Sequence, residues 1–201
     1  MVLGFQCIYG GEKAAGKTIM KTSVSHPLQI AVVSGMAGLG RIGITFCPGK
    51  YDPHAMTGGW DRDLAHDLDA IRDWGAAAVV TLLEPKELTL LRVERLGAEV
   101  MHRKMLRFHL PIVDVSIPDE RFEREWKIAG EELRSILRRG LDVLIHCRGG
   151  LGRAGTVAAR LLVELGMEPK TAIKNVRAVR PGAIETRDQE KFVLDINTAR
   201  K

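Results

Sequence analysis

From residue 28 onward, short apolar runs alternate with amphipathic stretches, which predicts an α/β domain: a central, mostly parallel sheet of about five strands with helices on both faces. Two further features support this class. The runs are continuous rather than alternating in polarity, as in strands buried on both faces. A glycine-rich loop near residue 150 also joins one such run directly to a helical pattern, the way a strand's carboxyl end joins the next helix in an open sheet.

Strands are expected at Gln29 to Val33, Ile42 to Phe46, Ala76 to Leu82, Lys104 to Leu110 and Leu141 to Ile145. The helix expected over 61–74 places Leu64, Leu68 and Ile71 on one face and stops at Gly75. The pattern is stronger over 120–139, where Phe122, Trp126, Ala129, Leu133, Ile136 and Leu137 recur at i, i+3, i+4 spacing before Gly140. Helices are also expected at 153–165, 169–180 and 187–199, with Pro169 in a first turn and Thr186 with Gln189 as a capping box. Residues 1–27, rich in Gly, Lys, Thr and Ser, read as a loosely ordered extension, and 28–201 as the folded domain.

The chain has 201 residues, 45% of them hydrophobic and 27% charged, within the range of one globular domain and outside that of disordered chains. No apolar run approaches the ~20 residues of a spanning helix, and no signal-like segment opens the chain, so the expectation is a cytoplasmic protein without a membrane partner. Thirty Lys and Arg against 25 Asp and Glu give a net charge of +5, suited to anionic substrates yet too dispersed for a nucleic-acid footprint. Three widely spaced cysteines, Cys7, Cys47 and Cys147, fit neither a disulfide framework nor a zinc site. Trp60, Trp74 and Trp126 are expected to pack helices on the sheet, with Trp60, beside Gly58 and Gly59, a candidate for a substrate-facing loop.

Two motifs could bind phosphate. Residues 11–18, GEKAAGKT, match the nucleotide-binding pattern GxxxxGK[ST], but the seven residues from Ile19 to Ser25 leave no room for the helix that pattern needs before His26-Pro27. A chance match is the reading adopted. The second motif is His146-Cys147-Arg148-Gly149-Gly150-Leu151-Gly152-Arg153. The strand LDVLI delivers it to the sheet edge, and the helical run AGTVAARLLVELG begins where it ends. Loop amides at that helix N-terminus can therefore converge on an anion, and the same field favours a thiolate at Cys147 as nucleophile. Glycines 149, 150 and 152 permit the turn. Arg153 can grip two phosphate oxygens through its planar fork, while His146, directly before the nucleophile, is better placed to orient the loop than to shuttle protons. The other reading of a Cys-x5-Arg spacing is a buried cysteine with a nearby arginine, which the three glycines and the strand-loop-helix context disfavour.

This loop resembles the His-Cys-x5-Arg signature of the cysteine-dependent protein phosphatases. Segments 44–51 (ITFCPGKY), 109–119 (HLPIVDVSIPD), 144–155 (LIHCRGGLGRAG) and 182–189 (GAIETRDQ) further resemble the kinase-associated dual-specificity group acting on cyclin-dependent kinases. The resemblance implies a phosphorylated protein substrate, a shallow-to-medium phosphate pocket, a cysteinyl-phosphate intermediate, and neither a metal nor a cofactor. It also implies an aspartate on a separate loop that protonates the leaving oxygen, a step worth about 10² to 10⁴ in rate. Asp114, 33 positions before Cys147, matches that position. Asp119 is the rival, although it also suits the N-cap of the following helix. Two departures bear on release of phosphate from the cysteine. Ala154 stands where the family carries a Ser or Thr hydroxyl, with Thr156 two residues further on. Glu185 stands where tyrosine-specific relatives carry a glutamine that positions water, and its carboxylate would either repel phosphate or act as base. Gln189 is a second candidate beside that water or simply the helix cap. These departures keep a slow-turnover phosphoprotein-trapping module open as an alternative. A phosphoinositide or RNA-end phosphatase is another, with Arg148 the one extra loop cation. Cys47 is read as core, or else as a redox partner of Cys147.

Overall fold

The computed structural model describes residues 20–33, 37–55 and 57–196. In chain order the elements begin β1 (Ala31–Val33), β2 (Ile42–Thr45), β3 (Tyr51–Asp52), β4 (Trp60–Asp61), α1 (Leu64–Trp74), β5 (Ala76–Thr81) and α2 (Pro85–Leu90). They continue with α3 (Leu96–His102), β6 (Leu106–His109), α4 (Glu120–Arg138), β7 (Asp142–His146), α5 (Gly152–Glu164), α6 (Pro169–Val179) and α7 (Arg187–Leu194). The main sheet has strand order β1-β2-β7-β5-β6, parallel except for the antiparallel β1.

Alternation along each strand sends side chains into two layers. Ile42, Ile44, Ala78, Val80, Val143 and Ile145 pack beneath α4 and α5, joined by residues of α6 and α7. Val79 and Leu144 face the other way, against Leu68 and Ile71 of α1 and Leu96 and Val100 of α3. All six apolar positions expected on the face of α4 are buried, which makes that helix a lid on the larger layer.

Several expectations need correction. The strand expected over 104–110 is an edge strand of four residues, with Leu106 and Arg107 exposed. Arg107 and His109 interrupt the apolar run that burial on both faces requires. The small β3-β4 sheet and the helices α2 and α3 were not expected, because two to seven residues are too few to establish a period. The last helix ends at Leu194, and residues 197–201 lie outside those described, as does the GEKAAGKT motif. Residues 20–27, expected to be loose, are tied to the body. The Lys21 N–H donates to Gly59 O at 2.8 Å, and the Asp61 N–H donates back to Lys21 O at 3.0 Å. Ser23 is buried against Asp63. The cause is Arg62: its fully buried guanidinium spends two nitrogens on Asp67 and donates the third to His26 O at 2.7 Å. A polar segment without periodicity is thus held by an acceptor that a buried charge requires.

Candidate active site

Cys147 stands at the carboxyl end of β7, between β2 and β5, and α5 starts five residues later. The intervening loop turns at Gly150, where φ is +68°. A Cβ there would also lie 2.4 Å from the carbonyl carbon of Thr45 and 2.6 Å from the Phe46 nitrogen, so glycine is required twice over. Gly149 differs: its Cβ would meet nothing within 4 Å. At Gly152 a Cβ would stand 2.4 Å from Glu185 Oε2, so this glycine makes room for a carboxylate rather than for a turn. The expectation that all three glycines serve the turn is therefore corrected to one. Leu151 is the N-cap of α5 and offers no side-chain cap, and the acceptor for the first helical amide, that of Gly152, comes from Glu185 instead.

The Gly150 N–H donates to Cys147 Sγ at 3.2 Å. Arg153, 2% exposed, lies in the first turn of α5. Its Nη1 donates to Glu87 Oε2 at 2.6 Å and Ile112 O at 3.0 Å, and its Nη2 to Glu87 Oε1 at 2.9 Å. Nη2 also pairs with Asp114 Oδ1 at 2.8 Å, whereas Nε is buried without a hydrogen-bond partner among the described residues. Burial opposes the charged guanidinium, but the Glu87 hydrogen bonds and the charges of Cys147, Glu87 and Asp114 outweigh it and hold Arg153 ionised. Glu87 feels the reverse. Burial alone would raise its carboxyl, and the Arg153 and Glu84 hydrogen bonds bring it below the usual range. Sequence reading missed Glu87. The one local signal was Glu84-Pro85 with Glu87, a helix start whose Glu87 side chain also accepts from the Glu84 N–H at 2.9 Å.

His146 is fully buried, and its Nε2 hydrogen-bonds Thr81 Oγ1 on neighbouring β5 at 2.8 Å. Burial pushes the imidazole down to about 3, so the ring stays neutral near neutral pH. The Arg148 guanidinium turns outward to Asp52, at 3.1 to 3.2 Å, which neutralises the extra loop cation considered for polyanion binding. Asp114 and Asp119 part company. Asp119 Oδ1 accepts from the Phe122 N–H as the N-cap of α4, while the half-exposed Asp114 meets Arg153. The loop carrying Asp114 includes Val115 at φ +60°, a strained position for a β-branched residue.

Glu185 Oε2 accepts the Gly152 N–H at 2.7 Å, at the start of α5. Gln189 completes the capping box of α7 with the N-cap Thr186, whose Oγ1 accepts the Gln189 N–H; Gln189 Oε1 also accepts from the Glu185 N–H, and its Nε2 donates to Ser116 O on the Asp114 loop. Thr156 Oγ1 donates to Gly152 O at 2.8 Å, so its hydroxyl does not serve the sulfur, and Ala154 has none to offer. Cys47 is buried, its thiol pushed well up by burial, and its N–H donates to Arg148 O at 3.3 Å. Trp60 lies against Lys21, Lys50 and Arg62, Trp74 against Arg41, and Trp126 is stacked on Phe122. Among the described residues no group of three or more His, Cys, Asp or Glu could hold a metal ion, and no helix is long and apolar enough to cross a membrane.

A thiol, a paired guanidinium with one unpartnered N–H and the loop amides at the start of α5 can together receive a tetrahedral oxyanion beside a sulfur nucleophile. Known proteins resemble this chain in the same region. Residues 51–193 match the model of the Swiss Army Knife protein, DSP-PTPase phosphatase domain. Cyclin-dependent kinase inhibitor 3 of Rattus norvegicus is 35% identical over 135 residues, 66% of this chain and 62% of the relative, so the match spans less than two thirds of that protein. The solved kinase associated phosphatase, with its catalytic site cysteine changed to serine, superposes with a TM-score of 0.72 at 28% identity, covering 83% of this chain and 92% of that one. Tk-PTP in its active form gives 0.57 at 30% identity, over 82% and 93%. With more than two thirds of its length matched to that family model and the Cys-x5-Arg loop inside the match, the chain belongs to the dual-specificity and tyrosine phosphatase family.

Proposed function

We propose that this chain is a protein phosphatase that hydrolyses phosphotyrosine, phosphoserine or phosphothreonine through a cysteinyl-phosphate intermediate. The observation that carries the reading is the joint placement of Cys147 Sγ, the Gly150 amide and a buried, Glu87-braced Arg153 at the start of α5. Cys147 attacks phosphorus in line, and the S–P bond forms as the P–O bond to the leaving group breaks. Arg153 and the amides of residues 148–151 hold the equatorial oxygens, the Gly152 amide being engaged by Glu185. Asp114 gives its proton to the leaving oxygen, then takes one from the water that cleaves the S–P bond. Its contact with Arg153 means the carboxylate and the guanidinium separate enough to admit the phosphate between them. His146 and Gln189 act behind this set, one orienting the loop and the other tethering the Asp114 loop. Glu185 anchors the Gly152 amide at the start of α5.

Phosphoproteins are preferred over phosphoinositides or RNA ends because Arg148 is already paired with Asp52, leaving no spare cation on the loop for a polyanion. The names of the kinase-associated relatives support a phosphorylated kinase as the substrate class. One observation favours a second reading, a trapping module: neither Ala154 nor Thr156 offers the departing sulfur a hydroxyl. Phosphotyrosine and phosphothreonine peptides tested with wild type, Cys147→Ser and Asp114→Asn decide among these. Sustained turnover by wild type alone supports the enzyme, one burst followed by arrest supports trapping, and activity of Cys147→Ser equal to wild type defeats both.

A further inference from the structure

Where successive amides of a loop face one centre, the carbonyls of the same peptide planes face away from it. In this loop two of those carbonyls meet a single side chain. Arg180, the C-cap of α6, donates Nη2 to Gly149 O at 2.9 Å and Nε to Gly150 O at 3.0 Å. The Gly149 carbonyl shares its plane with the Gly150 N–H, and the Gly150 carbonyl shares its plane with the Leu151 N–H. The Gly150 N–H is the one that donates to Cys147 Sγ. A hydrogen-bonded line therefore runs from the Arg180 guanidinium through one peptide group to the sulfur.

We propose that Arg180 is a positioning residue for the reaction: it holds the 149–150 and 150–151 peptide planes with their amides inward and strengthens the amide that hydrogen-bonds the Cys147 sulfur. The inference rests on the phosphatase reading above and deepens it. Glycine is the residue whose backbone turns most freely, and the two tethered carbonyls belong to the two consecutive glycines. Rotation of the 149–150 plane would direct a carbonyl at the sulfur, and the hydrogen bond from Nη2 opposes that rotation because it would have to break. A cation at the carbonyl end also polarises the peptide, making its N–H a better donor, because hydrogen bonds in series reinforce one another. The preceding plane needs no such tether. Arg148 O already accepts from the Cys47 N–H at 3.3 Å, with Lys50 Nζ 3.5 Å away. Among the described residues, the side-chain hydrogen bonds of Arg180 go to these two carbonyls.

Wild type, Arg180→Met and Arg180→Lys separate the contributions of charge and fork. Three readouts are taken at pH 7: orthovanadate affinity, kcat and KM on para-nitrophenyl phosphate, and the rate at which iodoacetamide alkylates Cys147, read at its own peptide by mass spectrometry. Arg180→Met is expected to weaken vanadate binding and slow alkylation by about tenfold or more, the factor that one lost charge-assisted hydrogen bond gives. Arg180→Lys, with its charge but a single point of contact, is expected to recover most of the alkylation rate and little of the vanadate affinity. Wild-type values for all three readouts in a folded Arg180→Met overturn the proposal. If that variant does not fold, wild-type vanadate affinity in Arg180→Lys overturns it instead. A wild-type chain that neither turns over aryl phosphate nor binds vanadate refutes the phosphatase reading, while the alkylation comparison still decides whether Arg180 acts on the sulfur.

Discussion

Replacing Glu87 with glutamine tests how far the site depends on a buried ion pair outside the signature loop. In the native chain Arg153 and Glu87 form two parallel hydrogen bonds of 2.6 and 2.9 Å, with side chains only 2% and 7% exposed, so solvent screens little of the interaction. Glutamine keeps the shape, loses the charge and turns one N–H group toward a guanidinium that can only donate. Removing one partner of a buried pair costs about 3–5 kcal/mol. Asp114 still pairs with Nη2 and one amide oxygen remains, so the lower end, about 3 kcal/mol, applies. That is a large part of the roughly 5–15 kcal/mol holding a domain together. The pH dependence follows from linkage. Glu87 is held below its ordinary value of 4.5, so its contribution is complete above that pH and disappears as pH falls through the lower folded value. Urea unfolding of both proteins from pH 7 to pH 3 is therefore expected to show a wide gap that narrows below about pH 4.5. Carboxylates common to both proteins cancel in this difference. Turnover of an aryl phosphate is expected to fall about 10- to 100-fold as the guanidinium loses its fixed plane. Equal stability at pH 7, or a gap that stays constant down to pH 3, refutes the reasoning.

Other outcomes follow from the same geometry. Gly150→Ala forces a side chain into positive φ and against the Thr45 backbone, so vanadate binding is expected to be lost, whereas Gly149→Ala is expected to keep it; isothermal titration of both variants gives the comparison. The His146 ring is expected to show no titration between pH 5 and 8 in NMR spectra, since burial sets its value at about 3. Thr81→Val removes the ring's partner and is expected to cost about 1–3 kcal/mol in thermal unfolding. Asp119→Ala, which removes the cap of α4, is expected to cost about 1 kcal/mol and leave kcat unchanged. Asp114→Asn is expected to reverse that pattern, lowering kcat about 10²-fold or more with little change in melting temperature.

The central features of this site were legible because they are local. A strand, a turn requiring glycine and a helix start are specified within about 25 consecutive residues, so Cys147 and Arg153 could be found on one loop and α4 on one repeating face. The residues that brace the loop come from elsewhere in the chain. Glu87 from the short α2, Arg180 at the end of α6, Asp52 from a two-residue strand and Thr81 on β5 lie 30 to 96 positions from the groups they hold. Nothing in their own neighbourhoods marks them. A glutamate after a proline reads as a helix start, and an arginine before Pro181 as a helix end.

By itself, then, the sequence determined the α/β class, the loop at the carboxyl edge of the sheet and the identities of its sulfur and its guanidinium, since each depends on periodicity or on neighbours a few bonds away. Only the tertiary structure decided which way Arg148 turns, that Asp114 rather than Asp119 meets Arg153, that Glu87 braces Arg153 and that Arg180 holds the loop carbonyls. Those contacts exist because a buried charge or an outward carbonyl must find a partner, and the packing of distant segments supplies it.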